Sequence, residues 1–116
     1  MKGKKWATRF ESSCRDWQIR LGLNDWAFRF RVKKGDNTKA AEVDMDRDAR
    51  EAIFTAYTKG KQTDAPERVA LHEVLHVVLN EMQEIAALRG NHEHKDVEIE
   101  EHRAIERLVT LIEGRP

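Results

Sequence analysis

His72, Glu73 and His76 are the residues of this sequence whose types and spacing can do chemistry. They stand as HExxH within Leu71-His72-Glu73-Val74-Leu75-His76-Val77. On an α-helix, residues four apart lie one above the other on the same face. His72 and His76 can therefore offer two imidazole nitrogens to one metal ion. Glu73 lies about 100° around the helix from His72. It flanks such an ion without having to bind it, where it can hold a water molecule and take its proton. With five His and 13 Glu in 116 residues, chance gives about 0.02 matches. The flanking Ala70, Leu71, Val77 and Val78 and the enclosed Val74 and Leu75 are all uncharged. The bland alternative is two solvated or core histidines one turn apart.

Two histidines do not make a stable zinc site; a third protein ligand is needed, with water as the fourth. The longer pattern HExxHxxGxxH is excluded, because Leu79 and Met82 stand where Gly and His are required. The third ligand must come from downstream. A last helix is predicted over about 97–113, with an apolar line through Ile105, Leu108 and Ile112 and Val109 beside it. Projected back, that line lands on Glu101 and then Glu98, with His102 on its other flank. Glu101, His102, Glu98 and the loop residues His92 and His94 are the candidates. His92 and His94 otherwise read as solvated loop residues, or as helpers that hydrogen-bond a tetrahedral oxyanion; Tyr57 is a second candidate for that role. The chain shows no Ser-His-Asp order, phosphate loop or CxxC motif.

The elements that must position these groups follow from periodicity. Trp6, Phe10, Cys14, Trp17 and Leu21 recur at helical steps, so residues 4–21 read as an amphipathic helix with Gly22 as its cap. The aromatic stripe is core in this reading, not a base-stacking surface. Trp26, Phe28, Phe30 and Val32 then alternate with Arg29, Arg31 and Lys33, which makes a half-buried strand. Gly35-Asp36-Asn37 marks a hairpin loop. Ala41, Val43 and Met45 alternate with Glu42, Asp44 and Asp46 in a second strand. Antiparallel pairing of the two would set the arginines against the acids. The acids lack the Gly and Glu spacing of a calcium loop and read as a solvated face. Residues 49–57 fit either a helix or a short strand at 52–57. A helix should start near Asp64 as N-cap with Pro66 in its first turn, and run to Arg89, closed by Gly90. Leu71, Leu75, Val78, Met82 and Ile85 form its core line, with His72 and His76 beside it and Val74 and Val77 on the far side.

The 116 residues suit one domain, 1–116, burying roughly two-thirds of the unfolded surface. Net charge is zero but unevenly spread. Residues 1–34 hold 10 Lys/Arg against 3 Asp/Glu, and residues 35–116 hold 11 against 18. Either the halves attract across the fold, or a basic amino-terminal face meets nucleic acid or an acidic partner. The single cysteine, Cys14, excludes an internal disulfide and fits a reducing compartment. No apolar run approaches a membrane span and no signal-peptide core is present, so the expected location is cytoplasmic.

Leu71 to Val78, the strands before it, and Glu100-Glu101-His102-Arg103-Ala104-Ile105-Glu106-Arg107-Leu108 together resemble the zincin metallopeptidases. The likeness is to the gluzincin branch and to short metallopeptidase-like chains of phage origin, where a Glu on the next helix completes the site. The resemblance implies an α+β fold: an amino-terminal helix, a small antiparallel sheet of about three strands, the active-site helix and a carboxyl-terminal packing helix. It implies Zn2+ held by His72, His76 and Glu101, with Glu73 as general base for hydrolysis of a peptide or protein substrate. It also implies that the strand before the active-site helix edges the cleft, which favours a strand at 52–57. The alternative function is a non-catalytic, metal-stabilised binding module using the basic amino-terminal face. Substrate and oligomeric state are beyond the sequence.

Overall fold

A computed structural model describes residues 3–35, 38–59 and 64–89, with His102, Ile105, Val109 and Ile112 beyond them; over 81–89 it describes the course of the helix alone. The elements are α1 (Gly3–Arg20), β1 (Ala27–Lys33), β2 (Ala41–Asp46), β3 (Glu51–Tyr57) and α2 (Pro66–Arg89). The chain divides into two compact units, Met1–Val74 and Leu75–Pro116, and the division falls inside α2. The class is α+β, with a helix, a small sheet and a second helix in that order.

In the first unit, α1 buries Trp6, Phe10 and Cys14 of the predicted stripe, with Ala7 beside them, while Trp17 and Leu21 are half-buried. Trp6 and Phe10 stack at 5.5 Å, and the Phe10 ring meets Phe54 of β3 edge-on at 6.3 Å. Phe54 is also 4.7 Å from Phe28 and 5.2 Å from Phe30, centroid to centroid. It has no exposed surface, so its burial contributes about 1.5–3 kcal/mol. Gly22 ends α1 as predicted. Its φ is +69°, its N–H donates to Ile19 O at 3.2 Å, and the Leu23 N–H donates to Gln18 O at 2.8 Å. That pair of bonds satisfies two carbonyls the helix would otherwise leave open.

The three predicted strands all form, but their order is β1-β3-β2. The expected β1–β2 hairpin is therefore corrected. β3 pairs parallel with β1 and antiparallel with β2, so the sheet is mixed, not antiparallel. The reason lies in side-chain character. β1 and β2 carry a charge at every second position, which suits strands with one wet face, whereas 52–57 carries none. Ala52, Phe54, Thr55 and Ala56 are buried on both faces of the sheet. The anticipated attraction between the arginines and the acids survives across the intervening strand. Arg31 reaches Asp44 at 3.6 Å and donates to Thr55 Oγ1 at 3.0 Å, while Arg29 holds Glu51 at 2.9 Å.

The tight connection is Arg47–Arg50, between β2 and β3. Asp46 Oδ1 accepts the Ala49 N–H at 3.1 Å, and the Arg50 N–H donates to Arg47 O at 3.1 Å. Arg50 sits at φ +50° and is tied down on two sides: its guanidinium holds Asp25 at 2.7 Å, and its carbonyl accepts the Ala27 N–H at 2.8 Å. Of the loop expected at Gly35-Asp36-Asn37, Asp36 and Asn37 lie outside the described residues. Gly35 has φ +76° and packs against Tyr57, where a Cβ would come within 2.8 Å of the Tyr57 side chain.

Candidate metal centre

The helix that carries the motif begins one residue later than predicted. The Ala65 carbonyl accepts the first intrahelical bonds, from Arg68 N–H at 3.1 Å and Val69 N–H at 3.2 Å, and Pro66 is the first helical residue. Asp64 is engaged elsewhere, since its carbonyl accepts the Trp6 indole N–H at 3.3 Å. Glu67, in the first turn, is gripped by Arg9, whose Nε donates to Oε2 at 2.9 Å while Nη2 meets Oε1. The start of α2 is thus fastened to α1 at two points.

Along α2, Ala70, Leu71, Val74, Leu75 and Val77 are buried, while His72, Glu73 and His76 are half-buried. The amino-terminal half is packed on several sides, as expected, with the motif's polar groups at the margin of the core. Val78 is half-buried, and the side chains of Met82 and Ile85 lie outside the described residues. Four residues of the predicted last helix are described, and all four are helical. Ile105 and Val109 are buried; Ile112 is exposed, a correction to the predicted apolar line.

In the second unit the His76 and His102 rings lie 4.6 Å apart at 75°. His72, one turn back along α2, completes a set of three imidazoles that each offer one nitrogen, all within 4.8 Å of one another. A tetrahedral zinc at about 2.05 Å from each nitrogen needs nitrogens about 3.3 Å apart. That spacing lies inside the 4.8 Å limit, and three imidazoles with a position left over are a donor set that a catalytic zinc accepts. His102, second among the candidates on its helix, is thus the residue found beside the motif. Glu101, Glu98, His92 and His94 lie outside the described residues.

Burial, helped by the negative charge of Glu42 and opposed by Lys39, pushes the Glu73 carboxyl up to about 8. A cation beside it would lower it again. In the sequence Glu42 reads as one of a row of solvated acids. Asp44, Asp46 and Asp48 are exposed, but Glu42 is half-buried and accepts hydrogen bonds from Lys39 Nζ at 2.7 Å and from the Tyr57 hydroxyl. Those two bonds, that of Lys39 first, hold its carboxyl below the usual range, and they raise Lys39 and Tyr57 in turn. Tyr57, expected as an oxyanion helper, has its hydroxyl engaged by Glu42. Sequence reasoning missed this network. The signal was the lysine three residues before a glutamate at the mouth of a strand.

Cys14 is a buried free thiol. Burial pushes it far above its usual value, and the charges of Glu73 and Glu11 add to the rise.

No protein-family model matches the chain, no curated protein matches it, and no solved structure matches its fold. The functional reading therefore rests on the residues themselves.

Proposed function

We propose that the chain is a zinc-dependent peptide hydrolase whose metal ligands are His72, His76 and His102. The observation that carries the reading is the three-imidazole cluster with Glu73 set between two of its members. A purely structural site needs no carboxylate there. Zinc, when bound, supplies Lewis-acid polarisation of a carbonyl and brings the pKa of water near neutrality. Glu73 orients the attacking water, takes its proton and delivers it to the leaving amine. The buried Val74, Leu75 and Val77 hold α2, so Glu73 and the two imidazoles it carries, His72 and His76, keep their places along that helix.

The substrate is an extended or unfolded peptide segment. Strand β3 is central and paired on both sides, so it does not offer the edge expected of it. Of the two edges, β2 carries Glu42, whose charge is felt at Glu73. That makes β2 the edge for main-chain hydrogen bonding to a peptide. A free buried thiol suits a reducing, cytoplasmic setting. Among the described residues no helix is long and apolar enough to cross a membrane.

The test is Glu73→Gln, which keeps the shape and removes the proton acceptor. The variant should retain zinc and fold and lose about 10²–10⁴-fold in peptidase activity, read by mass spectrometry on a mixed peptide library. Identical peptide profiles from wild type and variant at high enzyme favour the binding-module reading instead.

A further inference from the structure

The charges of the first unit are unequally matched. Arg9, Arg15, Arg29, Arg31 and Arg50 each hold a carboxylate, and Arg20 lies 5.1 Å above the Trp17 ring. Lys39 is bonded to Glu42. Lys4, Lys5, Lys33, Lys34 and Lys59 differ: all five are exposed, and none forms an ion pair among the described residues. Lys33 adds to the field on Glu42 without pairing with it.

The fold gathers these five at one end of the sheet. β1 closes at Lys33, opposite Tyr57. Beyond that rung the Thr58 N–H donates to Lys33 O and the Lys59 N–H to Lys34 O, both at 2.8 Å, so the two segments continue side by side. The first turn of α1 rests on the same place. A Cβ on Gly3 would stand 2.6 Å from the Thr58 carbonyl oxygen, which makes the close approach possible only for glycine. Lys4 and Lys5 follow directly, and with Thr8 and Arg9 they line a surface pocket.

This arrangement works against the isolated fold. Cations in the first turn of a helix oppose its dipole, and α1 has no acidic residue there to compensate. Three further lysines beside them add repulsion. We propose that this end of the molecule binds the phosphodiester backbone of duplex nucleic acid, without reading its sequence. Unpaired, flexible ammonium groups on three separate segments suit a row of phosphates, where binding is driven by counterion release. A single-strand mode needs aromatic platforms for bases. Here Trp6 and Phe10 are buried and the Tyr57 ring is packed against Gly35. A protein partner needs an apolar anchor at the centre of the contact, and among the described residues of these segments Val32 is the one large apolar side chain exposed.

The experiment uses the full chain and a fluorescent DNA duplex, with anisotropy followed from about 50 to 200 mM salt. Engagement of three to five phosphates gives a slope of log K on log salt of about −3 to −4.5. Lys33→Gln with Lys34→Gln, and separately Lys4→Gln with Lys5→Gln, should each flatten the slope by about 2 and weaken binding at least tenfold. Lys39→Gln should stay within twofold of wild type. Circular dichroism confirms the fold of each variant, and if one pair fails to fold the other decides. Absence of binding at low salt overturns the proposal, as do wild-type slopes in the folded lysine variants. So does tighter binding of single-stranded DNA or of polyglutamate than of the duplex at equal charge, which would assign the surface to those partners. The measurement involves no zinc, so its failure and failure of the hydrolytic reading are separate results.

Discussion

Replacing His102 with alanine is the sharpest perturbation of the metal centre. Its side chain is exposed, while the neighbours that anchor its helix, Ile105 and Val109, are buried. Truncation therefore removes a nitrogen without opening the core, and the metal-free protein should lose no more than about 0.5 kcal/mol. Structural zinc sites with four protein ligands are worth about 10–16 kcal/mol, so one ligand is worth about 3 kcal/mol, or on the order of 100-fold in affinity. The same factor appears in stability: at saturating zinc the variant should show about 2.7 kcal/mol less stabilisation than wild type. Competition against a chromophoric zinc chelator gives the affinity, and thermal unfolding with and without zinc gives the linkage. His76→Ala serves as the yardstick and should fall by a similar amount. If His102→Ala keeps zinc within threefold while Glu101→Ala loses it, the carboxylate is the ligand and the imidazole assignment is wrong. If neither variant weakens zinc, the third ligand does not come from this helix pair at all.

Two further outcomes test the frame around the site. Phe54→Ala removes the ring that Phe10, Phe28 and Phe30 all meet, and should cost about 3–5 kcal/mol in urea unfolding; a loss below 1 kcal/mol would mean that this cluster is not the core. The Cys14 thiol is raised by burial from an ordinary value of 9.0, so the folded protein should resist alkylation at pH 8 and react at once in denaturant. Because the folded pKa is the higher, the stability due to this thiol is complete below about pH 9 and is lost as pH rises above it, where the unfolded chain ionises first. Cys14→Ala should flatten the alkaline limb of a stability–pH curve, and an unchanged limb would refute the assignment.

Local structure was legible wherever burial repeats with a period. The steps Trp6, Phe10 and Cys14 marked the inner face of α1, and the uncharged shoulders of the motif marked the buried half of α2. Strand order was not legible from alternation alone, which says that a face is buried but names no neighbour. The informative contrast was between the charged alternation in β1 and β2 and its absence over 52–57, since a strand covered on both faces carries no charge. The third ligand was ambiguous for a geometric reason. One helical turn back from Ile105 is 3.6 residues, which falls between Glu101 and His102. Periodicity cannot choose between two such neighbours, and the resemblance to gluzincins favours the carboxylate. The Ala65 cap was hidden because Asp64 has the right chemistry for the role but commits its carbonyl to Trp6.

The order β1-β3-β2 also sets a sequence of events in time. β2 and β3 are joined by the four-residue turn Arg47–Arg50 and can zip within about 1–10 μs. β1 has no strand to join until β3 exists, and it must then close a loop over the whole of β2, which adds chain entropy before any bond offsets it. The hairpin is therefore the seed, and the phenylalanines of β1, with the helix that covers them, arrive afterwards. Changes at the turn, including relief of Arg50 from its left-handed backbone, act chiefly on how fast the chain folds. Changes in β1 act chiefly on how fast it comes apart.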